Sequence, residues 1–382
     1  MKLIFLINVD WFFASHFLHL ARRARAAGWS VTIATHMERE HGRFESEGFA
    51  VLPLPTRRGS LLPRGLSATA DLVAAELRHS PGAVLHAFGL FGIIAGTLAC
   101  RRARHERRVF TITGRGYAAV SPSPQARVIR LASRQFCSRM ADGPSTYWLA
   151  ENAADLAACD LDTAAREART RILGGAGIDP ARYSPTAMPP SPPLRCALVA
   201  RMIWSKGVDT AVEAVRMARA AGTDVTLTLA GPVDQDNPRA WTAGVVRGFE
   251  ATPGVRWLGR VDDINGLWAN HHLAVLPSRG GEGLPKSLIE AGAAGRPVLT
   301  TNVPGCREFA AATGGWSVAA DDASALATEL TRIARLDDLE QRGLHARRIV
   351  LEGYTQERAW EITHEVYRLL LQPSPDQARP TN

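Results

Sequence analysis

The chain has 382 residues, enough for about two domains, and its 46% hydrophobic and 21% charged residues suit a globular protein with a buried core. The net charge of +8 lies entirely in the first part, where residues 1–170 carry 22 Lys/Arg against 14 Asp/Glu while the remainder carries 23 of each. These arginines are not interleaved with aromatic stacking pairs, which argues against nucleic acid, and five widely spaced cysteines without a C-x-x-C argue against structural zinc and for a reduced, cytoplasmic setting.

In chain order, Lys2–Val9 is predicted as a buried strand. Its apolar run is too short for a signal peptide, and Asp10, His16 and His19 follow it. A helix over Ser15–Gly28, ended by glycine, and a strand over Ser30–Thr35 come next. Strands recur at Val84–Ala87 and Arg108–Thr113. The stretch VIRLASRQFCSRM (128–140) mixes Arg130, Arg134 and Arg139 with apolar residues at roughly helical spacing. It reads either as a helix resting on an anionic membrane surface or as a solvated arginine-rich face. No run reaches the ~18 apolar residues needed to cross a bilayer.

A proline-rich linker is predicted at 184–193 (SPTAMPPSPP), separating an N-terminal domain, 1–183, from a second, 194–352. After it the pattern restarts with strands at Cys196–Ala200, Val225–Ala230, Val255–Leu258, Leu273–Leu276 and Pro297–Thr300, and helices at Gly207–Ala220 and Lys286–Ala294. A terminal segment, 353–372, contains a helix over Gln356–Leu371 that has Trp360, Ile362, Val366, Tyr367 and Leu370 at core spacing and is placed to return to the first domain. Residues 373–382 read as a disordered tail. Continuous apolar strands imply parallel sheets covered on both faces. The fold class is therefore α/β, with two Rossmann-like doubly wound domains facing across a cleft and ligands beyond the carboxyl ends of the strands.

The chemistry concentrates in the second domain. Glu282 and Glu290 form E-x7-E across a strand, glycine-rich turn and helix, so one carboxylate lies in the turn and the other about two turns into the helix. The helix N-terminus offers backbone N–H groups to an anion, which suits a phosphate-bearing ligand with hydroxyls on either side. Arg201 and Lys206 follow a predicted strand and can clamp a diphosphate, one as a fork and one as a point charge. Val261 follows another strand end, where backbone groups can grip a nucleobase edge. Asp234 and Asp236 form D-x-D, a pattern that can bind metal but reads here as two solvated loop carboxylates.

Together these segments resemble the nucleotide-binding domain of the family 4 retaining glycosyltransferases of the GT-B fold. The matching residues are Arg201, Lys206-Gly207, Gly259 with Asp263, Pro277-Ser278, Glu282-Gly283-Leu284-Pro285, Glu290-Ala291, Gly295-Arg296-Pro297 and Pro304 to Glu308, spanning about residues 195–310. An extra glycine in Ser278-Arg-Gly-Gly-Glu282 departs from the family's usual spacing. More weakly, NVDWFFASHFLHLA, LHAFGLFGIIAG, TITGRGY and GGAGIDPARYSP resemble bacterial members that build surface or capsular glycans. Asn8-Val-Asp-Trp stands where some relatives have a Gly-Gly loop.

The resemblance implies roles. Arg201 and Lys206 would neutralise the departing diphosphate, backbone N–H groups near Gly283 and Leu284 would hold the distal phosphate, and Glu290 would accept from the ribose hydroxyls. Glu282 would contact the transferred sugar, and Val261 would meet the base. It also implies a nucleotide-sugar donor, UDP being the commonest, a glycan or lipid-linked acceptor, and no cofactor or metal, since the leaving phosphate can itself take the acceptor's proton. His16, at the start of the first predicted helix, and His86, at the end of a strand, could hydrogen-bond donor or acceptor hydroxyls; each could equally be a structural histidine. The other readings are a nucleotide-sugar epimerase of the same fold and a non-catalytic sugar-nucleotide-binding protein. A dinucleotide-linked dehydrogenase is disfavoured by the missing G-x-G-x-x-G after the first strand.

Overall fold

A computed structural model describes residues 1–56 and 62–372; the tail expected at 373–382 lies outside the described residues. The chain divides into two compact units. The first comprises residues 1–115, 127–176 and the stretch from Gln356 onward; the second comprises 116–126 and 177–355.

Among the described residues, seven strands form the sheet of the first unit: β1 (Lys2–Val9), β2 (Ser30–His36), β3 (Ala50–Pro53), β4 (Val84–Phe88), β5 (Arg108–Ile112), β6 (Thr146–Ala150) and β7 (Thr170–Ile172). Their order is β3-β2-β1-β4-β5-β6-β7, and every pairing is parallel. Parallel strands covered on both faces need apolar residues at successive positions, and Leu3 to Leu6 of β1 are all fully buried. The helix Gln356–Leu371 belongs to this unit. It buries Val366, Tyr367 and Leu370 among Phe5, Phe13 and Phe88, at roughly 1.5–3 kcal/mol for each large apolar side chain removed from water.

The predicted helix at Ser15–Gly28 is in fact two, Asp10–His16 and Leu18–Ala26, with a break at Phe17. The early start has a long-range cause. One oxygen of the buried Asp10 carboxylate accepts from the backbone N–H groups of Glu38, Arg39 and Glu40, each at 2.8 Å, and the other accepts from Trp11 at 2.7 Å. A loop 28 residues away thus fixes the first residue of the helix.

The second unit holds six strands among the described residues: β8 (Leu194–Val199), β9 (Val225–Ala230), β10 (Val255–Trp257), β11 (Leu273–Leu276), β12 (Val298–Thr301) and β13 (Trp316–Val318). They are ordered β10-β9-β8-β11-β12-β13, again all parallel. The chain winds outward from β8 to β10 on one side and from β11 to β13 on the other. The order therefore reverses between β8 and β11, and the loops leaving these two strands part at their carboxyl ends.

The proline-rich run is not where the chain passes between the units, which it does at 115/116, 126/127, 176/177 and 355/356. It is fastened to the second unit by Arg296, whose side chain is buried and donates to the Thr186 carbonyl at 2.9 Å and to its hydroxyl at 2.7 Å. His272 Nε2 lies 2.7 Å from the Pro189 carbonyl. Proline composition reads as a stiff spacer, but an arginine more than 100 residues downstream turns it into part of a packed surface.

Candidate functional site

The predicted site residues of the second domain follow the carboxyl ends of strands of one parallel sheet. Arg201 and Lys206 follow β8, and Val261 follows β10. Glu282 follows β11, and Glu290 lies on the helix Lys286–Ala293. The point where the sheet order reverses thus brings Lys206 and Glu282 together from paired strands whose partners are 77 residues apart, Leu273 standing opposite Cys196.

Lys206 closes a short turn, Trp204–Lys206, and its ammonium pairs directly with the Glu282 carboxylate. The lysine side chain is 12% exposed and the glutamate 22%, so this charge pair sits largely out of water, where its field is stronger than at a surface. The buried Ser278 hydroxyl lies 3.2 Å from the other Glu282 oxygen and 3.3 Å from the Ser205 carbonyl, and it accepts from the Gly280 N–H at 3.1 Å. Lysine turn and glutamate loop are thereby stitched to each other.

Arg201 pairs with Asp234. This corrects the reading of D-x-D as two solvated carboxylates, because Asp234 is buried against the guanidinium and only Asp236 is exposed. The two do not present a shared pair of carboxylates to one ion.

The Gly283-Leu284 turn is backed by a second helix. A Cβ at Gly305 would lie 1.8 Å from the Gly283 carbonyl oxygen, so only glycine permits this approach. The Glu308 carboxylate accepts from the Gly305 N–H at 2.6 Å and caps the helix Cys306–Thr313. The N-terminal end of this helix, positive by its dipole, is therefore set beside the turn that opens the helix Lys286–Ala293. Cys306 is buried next to Glu282, and burial above all pushes its thiol up to about 12, so it stays protonated at neutral pH and is no nucleophile.

The extra glycine of the 278–282 loop has a structural reason. Gly281 has φ of +83°, its carbonyl accepts from the Gly116 N–H at 2.7 Å, and a Cβ on it would stand 2.5 Å from the Gly116 carbonyl oxygen. The inserted residue makes room for the segment 116–126.

Glu290 is 9% exposed. Lys286, one turn earlier, lies 3.5 Å away, and the buried Tyr183 lies close enough to feel the carboxylate's charge. Burial and the Glu290 charge together raise the Tyr183 pKa. Tyr183 is the aromatic of the GIDPARY run; nothing in its local sequence shows that it lies near a carboxylate over 100 positions away. Val261 is half-buried and packs on the unit's core beyond β10, and Asp263 caps the following helix through the Gly266 N–H at 2.8 Å.

The two histidines need correction. His86 is fully buried in β4, with Nδ1 2.6 Å from the Tyr367 hydroxyl and Nε2 2.6 Å from Thr111 Oγ1. Both ring nitrogens are occupied and burial lowers its pKa to about 3, so it is a neutral structural residue that pins the terminal helix and not a substrate ligand. His16 ends its helix instead of starting it. It lies about 9 Å of helix beyond the end of β1, its ring stacked on Phe12 at 4.2 Å and Nδ1 2.7 Å from Ser15 Oγ.

Residues 193–335 match the family model "Glycosyl transferases group 1", and residues 2–141 match "Glycosyl transferase 4-like". The putative colanic acid biosynthesis glycosyltransferase WcaL of Salmonella typhimurium is 29% identical over 192 residues, covering 47% of each chain. Glycogen synthase of Mycobacterium tuberculosis is 31% identical over 199 residues, 50% of this chain and 46% of that one. The chain thus spans about half the length of the curated relatives it matches. Anabaena Alr3699/HepE, solved in complex with UDP and glucose, is similar with a TM-score of 0.73 at 17% identity, covering 97% of this chain and 100% of that one. At that identity the likeness shows a shared fold.

Proposed function

Two glycosyl transferase models match residues 2–141 and 193–335, and from that match we propose that this chain moves a hexose or N-acetylhexosamine from a nucleotide-sugar, UDP-linked, to a hydroxyl of a glycan or lipid-linked acceptor in surface polysaccharide assembly, with retention of anomeric configuration. The observation that carries this reading is the meeting of Lys206 and Glu282 at the reversal of the sheet, next to two helix N-termini and within one helix of Glu290. A diphosphate placed there meets a cation and positive helix ends, and its ribose meets a carboxylate.

In the transfer step the bond from C1 of the sugar to the phosphate oxygen breaks, and the acceptor oxygen bonds to C1 on the same face. The acceptor's proton passes to the departing phosphate. Lys206 and Arg201 stabilise the negative charge that grows on the diphosphate, and Glu282 holds the sugar hydroxyls. None of these roles needs a metal. Incubation with a panel of UDP-sugars and an oligosaccharide or polyprenyl-linked acceptor, followed by NMR of the new linkage, tests the reading. An axial product from an axial donor supports it, whereas an inverted product contradicts the retaining step.

A peripheral contact with the membrane belongs to the same reading. Among the described residues no helix is long and apolar enough to cross a bilayer. The helix Pro124–Gln135, however, buries only Ala126, while Val128 (67%), Ile129 (45%) and Leu131 (57%) are exposed beside Arg127 and Arg130. Apolar side chains among arginines suit the interface of an anionic bilayer. The protein is expected to pellet with vesicles containing an anionic lipid, and replacing Val128, Ile129 and Leu131 by serine should weaken that binding at least about tenfold. Equal pelleting of the triple variant would remove this helix from the contact.

A further inference from the structure

We propose that Arg279 is a positioning residue for the transfer site: it holds the Lys206 turn and the Glu282 loop in one geometry without touching the donor. Neither the motif nor the family match gives this side chain a role, and the inference rests on the nucleotide-sugar reading of the site.

Arg279 lies between Ser278 and the two glycines, in the loop that carries Glu282. Its side chain is only 7% exposed. Its backbone N–H donates to the Ser205 carbonyl at 2.8 Å, and its guanidinium donates to the Trp204 carbonyl, so both residues before Lys206 are tied to it. The same guanidinium forms a two-pronged pair with Asp209, each prong 2.9 Å, at the start of the helix Val208–Ala220. It also reaches Asp321, in the turn before the helix Ala323–Ile333, and stacks over the Trp204 ring at 4.7 Å.

Two carboxylates already balance the charge of Arg279, so it is not the cation that meets a diphosphate. What it supplies is shape. Three separate elements converge on one planar fork, and a lysine, with a point charge and no plane, cannot reproduce that set of bonds. The turn it fastens ends in Lys206, whose ammonium must lie within hydrogen-bond reach of its partner to act.

The test is isothermal titration of UDP into the full chain carrying Arg279→Gln or Arg279→Lys, with Arg332→Gln as control, together with hydrogen exchange of the peptide covering residues 200–212. Both Arg279 variants should bind UDP about tenfold or more weakly, with lysine failing to rescue, and the Lys206 and Gly207 amides, bonded to the Ile203 and Trp204 carbonyls, should exchange at least about tenfold faster, because removing the fork opens the turn locally. Arg332→Gln should match the wild type in both. Should Arg279→Gln not fold, Asp321→Asn, which removes an exposed partner only, should show the same change in exchange at a smaller size. Unchanged exchange with affinity within about threefold of wild type would overturn the positioning role. Wild-type protein that fails to bind UDP would instead overturn the nucleotide reading, and exchange would still decide the role of Arg279 in the turn.

Discussion

Lys206→Ala is expected to lower the rate constant for sugar transfer by roughly 10²–10³, about 3–4 kcal/mol in the barrier, the size seen when one preorganised donor to a developing negative charge is removed. The site sets the size. Lys206 is 12% exposed, so its charge acts in a setting of lower dielectric than bulk water and is worth more there than at a surface. The substitution also leaves the Glu282 carboxylate without its cation while it stays largely buried. The donor's KM should therefore change as well, but less than kcat, because charge builds on the phosphate mainly in the transition state. Lys206→Arg should recover little, since the turn from Trp204 is tied to Arg279 and a planar fork does not replace a point charge at a fixed place. Single-turnover kinetics with saturating donor give the direct readout. Turnover within about threefold of wild type for Lys206→Ala would remove the lysine from leaving-group stabilisation.

The second large effect is on binding. Glu290→Gln, which keeps volume and hydrogen-bonding length, is expected to weaken UDP by about 10–100-fold, the worth of a hydrogen bond to a charged group, roughly 1.5–3 kcal/mol. A structural glutamate on a helix would behave differently. It would lower thermal stability through the lost Lys286 and Tyr183 contacts and leave affinity alone. The two roles separate with a ligand lacking the ribose hydroxyls. 2′,3′-Dideoxy-UDP should bind wild type and Glu290→Gln within about twofold of each other, because the partner of the carboxylate is gone from both complexes. If the variant weakens dideoxy-UDP as much as UDP, Glu290 does not hold the ribose.

How much of this was readable in the sequence follows from which forces are local. The strands Val225–Ala230 and Leu273–Leu276 and the helix Gln356–Leu371 have the bounds that their apolar spacing predicts, because burial on both faces of a sheet or along one face of a helix writes itself into consecutive residues. The strand and helix that flank the Glu282 turn and carry Glu290 are legible for the same reason, since they are neighbours in the chain. What the sequence hid are contacts between distant segments. Asp10 starting a helix through the amides of 38–40, Asp234 taken up by Arg201, and Arg296 binding the proline run each join residues that no periodicity connects. Tyr183 is the clearest case. Its place near Glu290 depends on a packing that brings residue 183 beneath a helix starting at 286.

His86 misled for an instructive reason. A histidine near the end of a buried strand has the same sequence signature whether its ring points to a ligand or into the core. Only the partners across the sheet, Tyr367 and Thr111, distinguish the two, and Tyr367 is 281 residues away.

The most direct test of the central claim is the thermal stability of the protein with UDP, GDP, ADP and TDP, each with Mg²⁺ and with EDTA. A ligand bound only by the folded state stabilises it by RT ln(1 + [L]/Kd), about 2.7 kcal/mol at a hundredfold excess over Kd, a shift that is easily read. UDP should raise the melting temperature clearly and equally with Mg²⁺ and with EDTA. No rise with any of the four nucleotides, or a rise that vanishes in EDTA, would contradict the nucleotide reading.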